Sequence, residues 1–288
     1  MDAKIVCLSL TVRPFPRRFG LYSVHILNEL LLGGGLMEKH MYDVIFHLAE
    51  SGEKAAMKEM IGFLLSKGRY TVTDRQAEIV LRYLNKLVEE NDPEAMLSLG
   101  ALYYTGFSGI SQDYVKAMGY YEKAVELSGK KDTTAMNNLG YCHYYGRAGV
   151  VDYEKAYSCF AYAAMMGDAN AMYKLGDMYY YGNHVDKDVN ASFYWYSLAK
   201  RQEPEADADY QGFLVGSIAF RVGRAYLFGE GTDVDLIRAL FELRTAEALF
   251  YQQILLGDEF SVGQLPKTQE LIRTTQEELN KKINSTTT

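Results

Sequence analysis

Few residues in this chain are spaced for covalent chemistry. Ser128-Gly129-Lys130-Lys131 fits a Ser-x-x-Lys nucleophile pattern, and Gly106-Phe107-Ser108-Gly109 opens like a nucleophile elbow but has Ile110 where a second glycine belongs. An elbow works because a strand-to-helix turn holds its serine exposed to a base. Both segments fall between or within helical stretches, so the spacing reads as chance. His25, His40, His47, His143 and His184 lie on separate segments and contain no His-x3-His pair, which leaves no imidazole set to converge on a metal. His143 reads as a core imidazole with a hydrogen-bond partner. Cys142 and Cys159 read as small apolar packing residues, since a buried thiol is inert unless its pKa is lowered. Gly33-Gly34-Gly35 has no strand, lysine and helix around it to make a phosphate loop, and Asn190-Ala191-Ser192 is a glycosylation acceptor with no secretory leader ahead of it. The expectation is therefore no catalytic residue, no metal and no cofactor.

The aromatic residues carry more. Of 24 tyrosines, 17 fall between Tyr103 and Tyr196, and their placement follows an internal repeat. Glycine pairs six apart recur at Gly62 and Gly68, Gly100 and Gly106, Gly140 and Gly146, Gly176 and Gly182, and Gly223 and Gly229. A small or apolar residue stands five before each first glycine (Met57, Ala95, Ala135, Ala171, Ile218), an aliphatic immediately before it, and Leu65, Tyr103, His143, Tyr179 or Tyr226 three after it. Spacing of four and four marks one face of a helix. The first glycine of each pair then reads as a close helix contact and the second as the left-handed residue that ends the helix. A second helix follows in each unit at Asp113-Tyr114-Val115-Lys116-Ala117, Asp152-Tyr153-Glu154-Lys155-Ala156, Asp188-Val189-Asn190-Ala191 and Asp235-Leu236-Ile237-Arg238-Ala239. Its packing residues are expected four after the alanine (Tyr121, Phe160, Trp195, Leu243) and three beyond that (Ala124, Ala163, Leu198, Ala246). An acid at each start suits the helix dipole.

Repeats of this kind resemble the SEL-one-like repeat family, the tetratricopeptide-related α/α repeat proteins. AMLSLGALYYTG, AMNNLGYCHYYG and AMYKLGDMYYYG carry the resemblance, strongly over residues 95 to 200, less so over 218 to 256, and in degenerate form over 57 to 90. Residues 203 to 216 read as an insertion before the last unit. The expected fold is all-α: a right-handed α/α solenoid of about five helix-turn-helix repeats with a C-terminal capping helix near residues 267 to 282 and a half unit at residues 42 to 50 covering the other end.

Composition sets outer limits. The chain has 288 residues, a net charge of −7 and no run of about 18 apolar residues, so neither a nucleic-acid partner nor a membrane span is expected. Cys7, Cys142 and Cys159 are too few for a disulfide framework, and a reducing, cytoplasmic setting is expected. Residues 1 to 36 are more basic than the rest and are broken by Pro14, Pro16 and the glycine run, which reads as a poorly ordered arm. Two readings of it stay open: a genuine arm, or a translated ribosome-binding sequence before a start at Met37. Residues 37 to 283 form the repeat domain and 284 to 288 a disordered tail.

Positions outside the packing stripe of each first helix form a second row that an α-solenoid lines up along its concave side. In the central repeats it comprises Asn137, Tyr141, Tyr145, Tyr173, Asp177, Tyr181, Phe220, Arg224 and Phe228, with Lys174 and Arg221 beside it. Tyr, Arg and Asn in such a row are residues that interfaces favour, and the arginines would suit an acidic group at one end. The resemblance implies the same, a non-enzymatic scaffold or adaptor for a protein or peptide partner. A regulatory subunit of a neighbouring enzyme, and an enzyme with an unrecognised site, are the alternatives. The oligomeric state is not readable.

Overall fold

The computed structural model describes residues 34–66, 72–202 and 212–286. They form twelve α-helices: α1 Gly34–Glu50, α2 Lys54–Ser66, α3 Asp74–Glu89, α4 Pro93–Thr105, α5 Tyr114–Leu127, α6 Thr133–Tyr145, α7 Tyr153–Met165, α8 Ala169–Tyr181, α9 Val189–Arg201, α10 Gly212–Phe228, α11 Leu236–Leu255 and α12 Glu259–Thr286. Among the described residues the extended pairing is limited to one isolated bridge between Phe107 and Ile110. The fold is the all-α helix-pair repeat that the glycine spacing predicts. It divides into two compact units, one up to Ala135 and one from Met136.

In the first of these, Met57, Met60, Ile61 and Leu64 of α2 meet Val80, Leu84 and Leu87 of α3 and Ala95 and Leu99 of α4 in one core, with Tyr42, Ile45 and Phe46 of α1 packed on it. The second unit is built of three pairs, α6 with α7, α8 with α9, and α10 with α11, followed by α12. Its core repeats small and large side chains: Ala156, Phe160 and Ala163 of α7, Tyr196 and Ala199 of α9, Ala239, Leu243 and Ala246 of α11, all buried.

The first glycine of each repeat makes this packing possible. A Cβ on Gly100 would lie 2.7 Å from Tyr121, one on Gly140 2.7 Å from Phe160, one on Gly176 2.5 Å from Tyr196, and one on Gly223 2.8 Å from Leu243. The bulky residue of the second helix therefore rests on bare backbone of the first. The second glycine ends the helix in each case. Gly182 does so in the expected left-handed form, with φ 73° and ψ 37°, and its N–H donates to Met178 O at 2.9 Å.

Aspartates set the start of the second helix in the four later repeats. Asp113, Asp152, Asp188 and Asp235 are N-caps whose carboxylates accept from Lys116, Lys155, Ala191 and Arg238 N–H. Their own backbone N–H groups donate to Tyr103, His143, Tyr179 and Tyr226 carbonyls at 2.8 to 3.0 Å, which closes each repeat at the position three after its glycine. Asp92, Asp132 and Asp168 cap the first helices α4, α6 and α8 in the same way, onto Ala95, Ala135 and Ala171 N–H. That second set of caps is absent from the sequence reading, although an aspartate three before each repeat alanine marks it.

Several expectations need correction. The second glycines are not uniform left-handed caps. Gly106 pairs its positive φ of 75° with an extended ψ of 152°. Gly146 and Gly229, expected only to end their helices, are close-contact glycines as well. A Cβ on Gly146 would lie 2.8 Å from the Val151 backbone nitrogen, and one on Gly229 3.1 Å from the Val234 side chain. The physical reason is that the segments leading into α7 and α11 fold back over these two positions. The orphan carbonyls there are taken up one residue later, by Arg147 N–H on Cys142 O at 2.9 Å and Glu230 N–H on Ala225 O at 3.0 Å.

In α9 the packing residues are Ser192, Tyr196 and Ala199, each buried, rather than Ala191, Trp195 and Leu198. The capping aspartate, not the first alanine, sets the register, and Ser192 stands where the other units have alanine. Helix α1 begins at Gly34, so the last two glycines of the Gly33-Gly34-Gly35 run are helical instead of breaking a helix. Helix α10 begins at Gly212, within the segment read as an insertion, and gives Gly216 a seat on Phe250; residues 203–211 lie outside the described residues. The terminal helix runs Glu259–Thr286 with Pro266 inside it, longer than expected. Residues 284 to 286 are accordingly helical, while the remainder of the tail, most of the arm with Cys7 and His25, and Gly68 lie outside the described residues.

Candidate functional site

Helices α6, α8 and α10 place equivalent side chains at fixed offsets from the packing glycine. Three before it stand Asn137, Tyr173 and Phe220; two before, Asn138, Lys174 and Arg221; one after, Tyr141, Asp177 and Arg224; five after, Tyr145, Tyr181 and Phe228. Offsets of four share one helix face, so the three helices bring the row together. They do not leave all of it at the surface. Asn137, Tyr141, Tyr173, Lys174 and Asp177 are buried, against the expectation of an open row that includes Tyr141 and Tyr173. Tyr145, Phe220, Arg221 and Arg224 are half-buried, and Tyr181 and Phe228 are exposed at 53% and 51%.

The reason is that neighbouring first helices close on one another through Lys174. Its ammonium lies 5.1 Å from the centroid of Tyr141, 5.2 Å from Tyr173, 5.4 Å from Tyr144 and 5.5 Å from Tyr145. It donates to the Tyr145 hydroxyl at 3.2 Å and to Asp177 Oδ2 at 3.4 Å. A cation enclosed by ring faces is stabilised by their quadrupoles, about 2 kcal/mol or more per contact when water is excluded. Tyr141 in turn donates its hydroxyl to Asn170 Oδ1 at 2.7 Å, at the start of α8.

Asp177 is shared. Its Oδ1 accepts from the Tyr196 hydroxyl at 2.7 Å and pairs with the Arg221 guanidinium at 3.0 Å, while Oδ2 faces Lys174. Arg221 also donates to the Tyr181 hydroxyl at 3.1 Å, and its guanidinium stands 5.5 Å from that ring. One turn along α10, Arg224 donates to Tyr180 and, at 2.9 Å, to Glu230, with its guanidinium 4.6 Å from the Tyr180 ring. Glu230 sits on the turn after α10, between Gly229 and Gly231. Gly231 abuts the Val189 carbonyl and the Phe193 side chain so closely that no Cβ fits.

Burial alone would push the Asp177 carboxyl up; Arg221, Lys174 and the Tyr196 hydroxyl more than offset this and hold it below the usual carboxylate range. Burial works against the Lys174 ammonium too, and the surrounding tyrosine oxygens and Asp177 outweigh it, so lysine stays above its ordinary range. Tyr196 is raised by burial and by Asp177. Asp177, Lys174 and Tyr196 are thus each held in one charge state at neutral pH, which suits electrostatic anchoring and not proton transfer.

Cys142 and Cys159 are buried thiols, and burial pushes the Cys159 thiol up to about 11, away from nucleophilic use. Among the described residues no three His, Cys, Asp or Glu side chains gather as metal ligands, and no helix is long and apolar enough to cross a membrane. The sequence reading missed Tyr144, Tyr180, Tyr196 and Glu230 as parts of the network. Counting from Asp188 instead of Ala191 would have found Tyr196.

Comparison with known proteins agrees with the geometry. The Sel1 repeat pattern matches residues 93–128, 133–168, 169–203 and 219–241. The α2–α3 pair, the degenerate unit of the sequence reading, lies outside those matches. A curated relative from Arabidopsis thaliana, the ERAD-associated E3 ubiquitin-protein ligase component HRD3B, is 35% identical over 104 residues, 35% of this chain and 15% of the relative. An uncharacterized Sel1-like repeat-containing protein of Schizosaccharomyces pombe is 25% identical over 252 residues, 80% of this chain and 36% of the relative. The chain thus spans well under half the length of both. Among solved structures, a Sel1 repeat protein from Oxalobacter formigenes superposes with a TM-score of 0.56 at 26% identity, covering 73% of this chain and 80% of that one. The protective antigen c5321 of uropathogenic Escherichia coli, which has an SLR fold, gives a TM-score of 0.51 at 22% identity, covering 82% of this chain and 56% of its own.

Proposed function

We propose that this chain, a Sel1-repeat protein, is a non-catalytic scaffold which holds a protein or peptide partner against the face of α6, α8 and α10. The observation that carries this reading is the set of rings five after each glycine. Tyr145, Tyr181 and Phe228 occupy one structural position in successive repeats, and the latter two stay exposed although each is large enough to reward burial. Rings cost little rotamer entropy to immobilise, and the phenol hydroxyls can serve a partner's backbone. Beneath them, the Lys174–Asp177–Arg221 network ties α8, α9 and α10 into a stiff floor, so little ordering remains to be done on binding. The relative named as a component of a ubiquitin-protein ligase supports a role inside an assembly.

Affinity purification from cells of the source organism tests the proposal. The unaltered chain and a Tyr181→Ala/Phe228→Ala double variant are compared at equal loading. Loss of the co-purifying proteins from the variant, with its melting temperature within about 3 °C of the parent, is expected. Recovery of the same proteins at the same level by both would contradict it.

A further inference from the structure

The half-buried ring of Tyr145 and the exposed rings of Tyr181 and Phe228 do not stand alone. Arg147 lies with its guanidinium 5.4 Å from the centroid of Tyr145, Arg221 5.5 Å from Tyr181, and Arg224 6.0 Å from Phe228. Each of three successive repeats therefore presents the same pair, an aromatic ring with an arginine over it. Reading the sequence alone does not give this regularity, because Arg147 follows its ring by two residues, Arg224 precedes its own by four, and Arg221 comes from the next repeat.

Charge is unevenly matched within this face. Lys174 and Arg221 share the single carboxylate of Asp177, and Arg224 is paired with Glu230, so three cations are set against two anions. Asp177 is also the one acidic residue on α6, α8 and α10, in a chain whose net charge is −7. Lys174 and Asp177 are too buried to rearrange, but the Arg221 and Arg224 side chains keep 15% and 25% of their surface open. Glu230 is held in place by the wedged turn at Gly231 and by its backbone N–H to Ala225 O at 3.0 Å. The positive excess is built into a stiff surface and is open to an incoming carboxylate, which a guanidinium fork recognises better than any other common anion-binding side chain.

Spacing narrows the partner. Packed helices lie about 8 to 10 Å apart and an extended chain rises about 3.3 Å per residue, so adjacent ring and arginine pairs match every third residue of an extended segment. We infer that the face of α6, α8 and α10 binds an extended protein segment that carries acidic side chains at about every third residue. The carboxylates seat against Arg221 and Arg224 beside the rings of Tyr181 and Phe228, and the Tyr145 and Tyr181 hydroxyls meet the segment's backbone. This rests on the proposed scaffold function and names the chemistry of its partner.

Four labelled twelve-residue peptides test it by fluorescence anisotropy on the full chain: Glu at every third position in a Ser/Ala background, the same peptide with Gln, the same composition with its glutamates contiguous, and one with phosphoserine replacing Glu. The spaced Glu peptide is expected to bind at least about tenfold tighter than the Gln and contiguous peptides, to weaken as salt rises from about 50 to about 500 mM, and to lose most of its affinity in an Arg224→Gln variant. Equal binding of Glu and Gln peptides overturns the acidic chemistry. Equal binding of spaced and contiguous peptides overturns the register, and a tighter phosphoserine peptide overturns the choice of carboxylate. Failure of all four to bind overturns the inference entirely. None of these touches the scaffold reading, which stands or falls on whether Tyr181→Ala/Phe228→Ala retains the cellular partners.

Discussion

Asp177 is the residue on which the candidate site turns. Buried Lys174, half-buried Arg221 and the Tyr196 phenol converge on one carboxylate, so its removal strands charge instead of merely deleting a contact. Asp177→Asn is therefore expected to cost about 3–5 kcal/mol, measured by denaturant unfolding. A loss under about 1 kcal/mol would mean that the network is loosely solvated. Its pH dependence follows from the direction of the shift. The folded carboxyl titrates below its unfolded value of about 3.9, so its contribution is complete above that pH and is lost as pH falls through the folded value. Below pH about 4 the parent should thus lose stability more steeply than Asp177→Asn, and parallel acid profiles would contradict this. The types and offsets of Tyr145, Tyr181, Arg221 and Arg224 are legible in the sequence, because a repeat aligns them. The depth at which Tyr141, Tyr173 and Lys174 sit is not, because burial is decided by which rings the neighbouring helix supplies, and a helical wheel carries no information about its neighbour.

At the scale of elements, the helix pair is the repeating unit and the glycines are its test. Gly176 sits under the Tyr196 ring with no room for a methyl group, whereas Gly119 on α5 has nothing within 4 Å of a would-be Cβ. Gly176→Ala should lower stability by about 1–3 kcal/mol even after the roughly 1 kcal/mol that alanine adds to a helix. Gly119→Ala should raise it by about 0.5–1 kcal/mol, and thermal melts of the two side by side should move in opposite directions. If both rise, the repeat glycine is not a packing requirement. The N-cap Asp152→Ala change should lower the melting temperature, as its carboxylate accepts from Lys155 N–H in the first turn of α7, and an unchanged melt would contradict the capping role. The helix pairs and their order are legible from glycine and aspartate spacing, while the ends of α1, α10 and α12 are not. Nor is the crowding at Gly146 and Gly229, because it depends on how the following loop returns over the helix end. The slip of one residue in α9 shows a second limit: Ala191 offers an alanine one residue early, and counting from it instead of from the cap Asp188 points to Trp195 in place of Tyr196.

Across the whole molecule, α4 to α9 hold to 13 or 14 residues each, while α1 at 17 and α12 at 28 residues are longer. The side chains of α1 that pack on the core, Tyr42, Ile45 and Phe46, all follow Met37. A chain beginning at Met37 is accordingly expected to melt within about 3 °C of the full chain, and a larger drop would show that preceding residues contribute to the fold. The helical run from Gly34 is hidden in the sequence because three successive glycines read as a breaker, each costing about 1 kcal/mol relative to alanine in a helix. The central claim is that the face of α6, α8 and α10 in the second unit is where the protein meets its partner. Its most direct test is a photo-crosslinking side chain placed singly at Tyr181, Phe228, Ile237 and Phe241, all exposed positions, in cells of the source organism. Adducts to one partner from Tyr181 and Phe228, and none from Ile237 and Phe241 on α11, are the predicted result; adducts from the α11 positions alone would contradict it.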